Sequence, residues 1–119
     1  MKKYSFSKKR RLTSKKEIDE LFRFGKFKAV NYLKFRYLSQ DKGYSRVVIS
    51  ISKRVGSAPI RNRLKRLIKE AIRLSVYLKT SSYNLSVYIT YPIKNKPTLA
   101  EIQNKIDVFI NTCLNETEN

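Results

Sequence analysis

Lys53–Arg73 reads KRVGSAPIRNRLKRLIKEAIR. Apolar residues recur through it at helical spacing. At about 100° per residue, Leu64, Leu67, Ile68, Ala71 and Ile72 gather on one side. Asn62, Arg66, Lys69 and Arg73 lie almost opposite, flanked by Arg61 and Lys65 at one edge and Arg63 at the other. Pro59 suits a first turn, where its missing N–H has no consequence, so a helix is predicted from about Ala58 to Leu74. The stretch holds eight basic residues against one acid, Glu70. Arg61–Lys65, Lys65–Lys69 and Lys69–Arg73 are like-charged i, i+4 pairs, each destabilising by a few tenths of a kcal/mol; only Arg66–Glu70 offsets them. Such a helix packs its apolar side on a core and requires a counter-charge on the other.

Working outward, Arg46–Lys53 alternates, with Val47, Ile49 and Ile51 on one face and Val48, Ser50 and Ser52 on the other. Residues 26–40 read as extended, as two strands broken near Val30-Asn31. Leu33, Phe35 and Tyr37 share one face there, and Tyr32, Lys34 and Arg36 the other. Gln40-Asp41-Lys42-Gly43 makes the turn. Upstream, Ser14–Phe24 reads as a helix opened by a Ser14/Glu17 capping box, with Ile18, Leu21 and Phe22 as its stripe and Gly25 as a left-handed terminator. Arg54-Val55-Gly56-Ser57 reads as a loop. Downstream, Leu85–Tyr91 forms a strand that Pro92 stops. Thr98 and Glu101 open a last helix with the stripe Leu99, Ile102, Ile106, Phe109, Ile110 and Cys113. The order is helix, strands, helix, strand, helix. It predicts an α+β chain, a two-layer α/β sandwich with helices packed on one sheet. Expected boundaries are a basic flexible lead-in over residues 1–12, a single domain over 13–114 and a polar tail over 115–119.

The 119 residues fit one domain. Lys and Arg number 27 and Asp and Glu 9, for a net charge of +18. Charge on that scale opposes a compact state unless a polyanion screens it, and nucleic acid is the polyanion that releases counterions when it does so. A membrane fits less well, because no apolar run approaches the ~20 residues a span requires. The basic N-terminus lacks a signal peptide's apolar stretch, so a cytoplasmic location is expected. The chain has one cysteine and no histidine. An intramolecular disulfide, a Cys-based zinc site and the commonest general base are excluded. The nine acids are scattered, against a protein-held Mg²⁺ pair. No catalytic or metal-ligating residue is expected.

The basic helix offers mainly point charges and Arg forks that match phosphate oxygens. Gly56 and Ser57 permit close approach to its N-terminus. One Asn62 is too little for reading base edges in a groove, so backbone recognition of folded RNA is the better fit. Tyr32, Lys34, Arg36, Ser50 and Ser52 form a mixed aromatic, cationic and hydroxyl face of the kind unstacked bases favour; an ordinary polar sheet face is the equal alternative. A ribosomal protein, a general RNA chaperone and a DNA-compacting protein share the charge.

The opening stretch resembles the signature of the bacterial ribonuclease P protein subunit, K-x-V/I-G-x-A-x-x-R-N-R-x-K-R-x-x-R/K-E, carried by Lys53, Val55, Gly56, Ala58, Arg61, Asn62, Arg63, Lys65, Arg66, Lys69 and Glu70. Arg11-Leu12, Gly25 and the strand Arg46–Lys53 extend the resemblance over about residues 8–112. It implies an α-β-β-β-α-β-α order with a left-handed β-α-β crossover, like the second domain of ribosomal protein S5. It implies an accessory subunit of a catalytic RNA that, with RNA- and substrate-held Mg²⁺, removes the 5′ leader of precursor tRNA. The implied partners are that RNA and precursor tRNA, with no membrane and no obligate protein partner. The implied RNA-docking residues are Lys53, Arg54, Arg61, Asn62, Arg63, Lys65, Arg66, Lys69 and Arg73. The implied leader cleft comprises Ile18, Phe22, Tyr32, Lys34, Arg36, Ser50 and Ser52. The sequence departs from the family pattern at Ile18 (usually aromatic), at Val48 (commonly Gly) and at Thr90-Tyr91, where many members carry a basic residue before the proline.

Overall fold

The computed structural model describes residues 8–114; the predicted tail and the first seven residues lie outside that range. The helix α1 spans Lys15–Phe24, with the Ser14 hydroxyl accepting from the Glu17 N–H at 3.3 Å. The predicted capping box is only half made. The Glu17 carboxylate turns away from the helix start to accept from Arg46 Nη2 at 2.6 Å, because a fixed guanidinium is a stronger partner than a backbone amide. Gly25 is not left-handed as expected: its φ of −76° and ψ of 164° are extended. Glycine is required there for space. A Cβ would strike the Leu21 carbonyl oxygen and lie 2.9 Å from the Tyr37 carbonyl oxygen.

Strands β1 (Lys26–Val30) and β2 (Leu33–Ser39) form a hairpin whose two-residue turn places Asn31 at φ 60°. Asparagine tolerates that conformation, and its Oδ1 accepts from the Tyr32 N–H at 2.9 Å. β3 spans Arg46–Ile51, α2 Ala58–Leu74, and β4 Tyr83–Ile89, two residues earlier at each end than predicted. The sheet order is β1-β2-β4-β3, with β4 antiparallel to β2 and parallel to β3. A parallel pair needs a long crossover, and α2 provides it. Between α2 and β4 the sequence pattern missed a short helix, α3 (Val76–Thr80), capped by the Ser75 hydroxyl. At five residues it has no periodicity to detect. The last helix, α4 (Leu99–Phe109), opens on the predicted Thr98/Glu101 capping box and runs into a π turn, Ile110–Leu114.

The core forms where Leu33, Phe35, Val47, Ile51, Leu85, Val87 and Ile89 of the sheet meet Leu64, Ile68, Ala71 and Ile72 of α2 and Ile102, Ile106 and Phe109 of α4. Phe35 and Phe109 stack at 4.0 Å. The opposite face carries two rows set by the register: Phe27–Arg36–Ser86–Val48 and Ala29–Lys34–Tyr88–Ser50. α1 lies over one end of that face, burying Leu21. A cleft opens between α1 and the sheet.

Of the lead-in expected to be flexible, residues 8–12 are described, and they are fastened. Lys8–Arg10 make a 3-10 turn, Arg11 bridges to Val47, and the Leu12 N–H donates to the Val47 carbonyl at 2.9 Å. Arg10 is buried, donating from Nε to Ser45 O at 3.3 Å and from Nη2 to Leu78 O at 3.2 Å. Burial lowers its pKa.

Candidate nucleic-acid interface

α2 packs its apolar stripe on the core, so its basic residues face outward on the side the sequence predicted. They are not equivalent. Arg61 Nε donates to Gly56 O at 3.0 Å and Arg63 Nη2 to Pro97 O at 2.9 Å. These two arginines brace the loops at either side of the helix start while keeping donors outward. Glu70 pairs with Arg73, not with Arg66 as the i, i+4 spacing suggested: Nε and Nη2 of Arg73 reach its carboxylate at 3.0 and 2.6 Å. That bidentate pairing holds the Glu70 carboxyl below the usual carboxylate range. Arg66, Lys69, Lys65 and Asn62 form no ion pair or side-chain hydrogen bond among the described residues. They are the open part of the face. The Ser57 hydroxyl makes no capping bond, so the first turn of α2 keeps N–H donors available. Gly56, at φ 158° and ψ −168°, sits in a region essentially reserved for glycine.

Lys53 and Arg54 form a 3-10 turn with Val55, entered through Ser52, whose hydroxyl accepts from the Arg54 N–H at 3.2 Å. Ser52 thus caps the turn carrying Arg54 rather than extending the sheet face beside Ser50. Arg54 reaches Tyr91, its guanidinium 5.0 Å from the ring centroid; Lys34 Nζ is 5.1 Å from the same ring and donates to Thr90 Oγ1 at 2.8 Å. Thr90-Tyr91, where the sequence lacks a basic residue, therefore gathers two cations from other elements. Tyr91 links the turn that precedes α2 to the cleft and is 58% exposed.

Within the cleft the structure groups Phe22, Lys34, Arg36 and Ser50 as expected, with Ile18 half-buried on the inner side of α1. Tyr32 does not join them. It sits in the β1–β2 turn, so strand alternation does not govern it; it packs against the core beside α4, with Lys105 Nζ 5.1 Å from its ring. Burial, then the charge of Glu101, raises its pKa. Three residues that the sequence reading did not place on the cleft face stand on it. Tyr88 stands between Lys34 and Ser50 in the register, 6.1 Å from Phe22. Ser86 lies between Arg36 and Val48 and is buried. Phe27 lies opposite Arg36, 5.6 Å from its guanidinium. The β1 alternation was the available signal for Phe27; Tyr88 and Ser86 needed the strand order.

A one-sheet α+β chain with an open cationic helix and an aromatic, cation-lined cleft presents groups of the kind that suit a polyanion and unstacked bases. Comparison with known proteins gives that class a family. The family model Ribonuclease P matches residues 6–113. The ribonuclease P protein component of Clostridioides difficile is 36% identical over 101 residues, covering 85% of this chain and 89% of its own. That of Clostridium kluyveri is 34% identical, covering 84% and 90%. The solved RNase P protein of Staphylococcus aureus superposes with a TM-score of 0.75 at 22% identity, covering 88% of this chain and 95% of its own. The protein from Thermotoga maritima gives 0.73 at 21%, covering 86% and 96%. The chain belongs to the ribonuclease P protein family.

Proposed function

We propose that this chain is the protein subunit that lets a ribonuclease P RNA remove the 5′ leader of precursor tRNA. The open face of α2 docks on the catalytic RNA, and the cleft between α1 and the sheet holds the single-stranded leader. The observation that carries this reading is that the chain presents two different surfaces. One bears cations without carboxylate partners and suits folded RNA backbone; the other bears exposed rings among cations and suits unstacked bases. Tyr91 gathers Lys34 of the cleft and Arg54 of the turn that leads into α2.

In this reading the RNA and its substrate hold Mg²⁺, which stabilises the phosphate charge during hydrolysis. The protein's own donors do not fit that task. Among the described residues no group of three or more His, Cys, Asp or Glu is placed to hold a metal ion, and Glu17 and Glu70 are bound to arginines. The chain contributes positioning: phosphate contacts by Arg66, Lys65, Lys69, Lys53 and Arg54, with Arg61 and Arg63 steadying the loops. The site of action is the cytoplasm.

The test is cleavage of a 5′-labelled precursor tRNA at low Mg²⁺ and moderate salt by a bacterial ribonuclease P RNA alone, this protein alone, and both. Cleavage at the mature 5′ end only with both is the expected result. Tight RNA binding without gain in cleavage would favour a ribosomal or chaperone role.

A further inference from the structure

We propose that the crevice between the start of α2 and the loop of residues 93–97 seats one unpaired base of the RNA that docks on α2. The proposal rests on the docking role of α2 given above. It adds a base contact on the helix side of the molecule, apart from the cleft under α1.

The crevice has a volume of about 230 Å³. Val55, Ile60 and Leu64 form one wall, and Ile93 and Pro97 the other. The walls are held in place. Arg63 Nη2 donates to Pro97 O at 2.9 Å, which ties the loop to the helix. Val55, Leu64 and Pro97 are buried. Ile60 folds over Gly56, where an added Cβ would come 3.1 Å from Ile60 Cδ1. Ile60 is still 49% exposed. A lone exposed apolar side chain is ordinary, but one that walls an apolar crevice offers a surface that a second apolar face can cover.

The surroundings decide what that face belongs to. Arg63 also lines a hollow along α2 with Arg66 and Lys69, so the crevice continues from the docking face. Its other charged residues are Lys94 and Lys96, both exposed and without an ion pair among the described residues. No acid lines it. An apolar slot with a wholly cationic rim suits a ligand that is apolar in the middle and anionic at its ends. An unpaired nucleotide has that form. Its base has faces that shed water when covered, and its flanking phosphates meet Lys94 and Lys96. Loops and bulges of folded RNA present such splayed bases; a base inside a duplex has both faces covered by its neighbours and cannot enter.

The experiment titrates the full chain into a bacterial ribonuclease P RNA with precursor tRNA absent, so that no leader occupies the cleft. A set of RNAs, each lacking one base at an unpaired position, is compared with the intact RNA. One abasic site should weaken binding about fivefold, the low end of what one stacked base contributes. Ile60→Ser should weaken binding of the intact RNA by a similar factor and show no further loss at that abasic site. Lys94→Gln combined with Lys96→Gln should flatten the salt slope by ~1–2 and keep the loss at the abasic site. These positions are exposed, and thermal melts of each variant check folding. Ile60→Ser binding as the parent does, or losing the same factor at every abasic site as the parent, overturns the inference while leaving the docking of α2 intact. A flatter slope in the lysine variant with no dependence on any base reduces the crevice to a phosphate contact and also overturns it. If Arg66→Gln leaves binding unchanged as well, the docking reading itself fails and this inference with it.

Discussion

Replacing Glu70 with Gln should make the protein bind ribonuclease P RNA more tightly. Glu70 is the one acid in α2, and its carboxylate accepts two hydrogen bonds from Arg73. That pair faces the same side as Arg66 and Lys69 and cancels one positive charge of the footprint. A duplex phosphate contact contributes a salt slope of about 0.9, so at ~0.1 M salt one added effective contact multiplies affinity by ~8 relative to 1 M. Both partners are about a quarter exposed, and solvent screening lowers the expected gain to ~3–8-fold. Arg66→Gln is the counterpart: Arg66 has no carboxylate partner among the described residues, so it should lose ~8-fold and flatten the slope by ~0.9. Arg73→Gln should lose much less, because its charge is already opposed. The i, i+3 pair itself supports the helix by only ~0.3–0.5 kcal/mol, too little for its loss to confuse the result. Fluorescence anisotropy titrations of the RNA across ~50–400 mM KCl measure both affinity and slope. Glu70→Gln binding no tighter at any salt, or Arg73→Gln matching Arg66→Gln, would refute the argument that these cations differ.

Gly25→Ala should lower the melting temperature by ~2–8 °C. The new methyl meets two backbone carbonyls, costing ~1–3 kcal/mol of overpacking, partly offset by ~0.4–1 kcal/mol of unfolded-state entropy, with ~0.25 kcal/mol/K of unfolding entropy for a chain this size; an unchanged melt would mean α1 shifts freely. Glu17 titrates below the ordinary carboxylate range because Arg46 hydrogen-bonds its charged form. Its contribution is therefore present above the unfolded pKa of about 4.3 and lost as pH falls through the folded value. Glu17→Gln should cost ~0.5–1 kcal/mol at pH 7 and progressively less as pH falls below about 4.3; urea melts across that range decide, and a cost that does not change with pH would remove the ion pair as the cause. Arg10→Met takes the Arg10 donor from the Ser45 carbonyl and leaves the Leu78 carbonyl with the Ser45 N–H alone, at ~1–3 kcal/mol, and should speed hydrogen exchange at the Leu12 amide; an exchange rate equal to that of the parent would show that the segment holds without Arg10.

The elements around the opening stretch were legible because their signals are local. Pro59 and the Leu64–Ile72 stripe bound α2, and the alternation from Arg46 to Ile51 marks β3. Thr98 and Glu101 mark the start of α4. The outer face of α2 was legible as a polyanion footprint for the same reason. What failed depended on partners distant in the chain. Glu17 left its own helix cap for Arg46. Arg10 fell in the lead-in expected to be flexible, and Ser45 and Leu78 supply the carbonyls that hold it. Tyr32 left the cleft because a turn, not a strand, sets its direction. Tyr88 could not be placed between Lys34 and Ser50 without the insertion of β4 between β2 and β3.

That insertion governs how the chain leaves the ribosome. β2 and β3 do not pair with each other; each waits for β4, which emerges only after α2 and α3 have passed. At ~5–20 residues per second, the nascent chain carries two unpaired strand edges for seconds. Such edges invite pairing with neighbouring chains. The N-terminal half is rich in lysine and arginine, and like charge keeps emerging copies apart. The charge that suits the mature protein to RNA also guards its unfinished sheet.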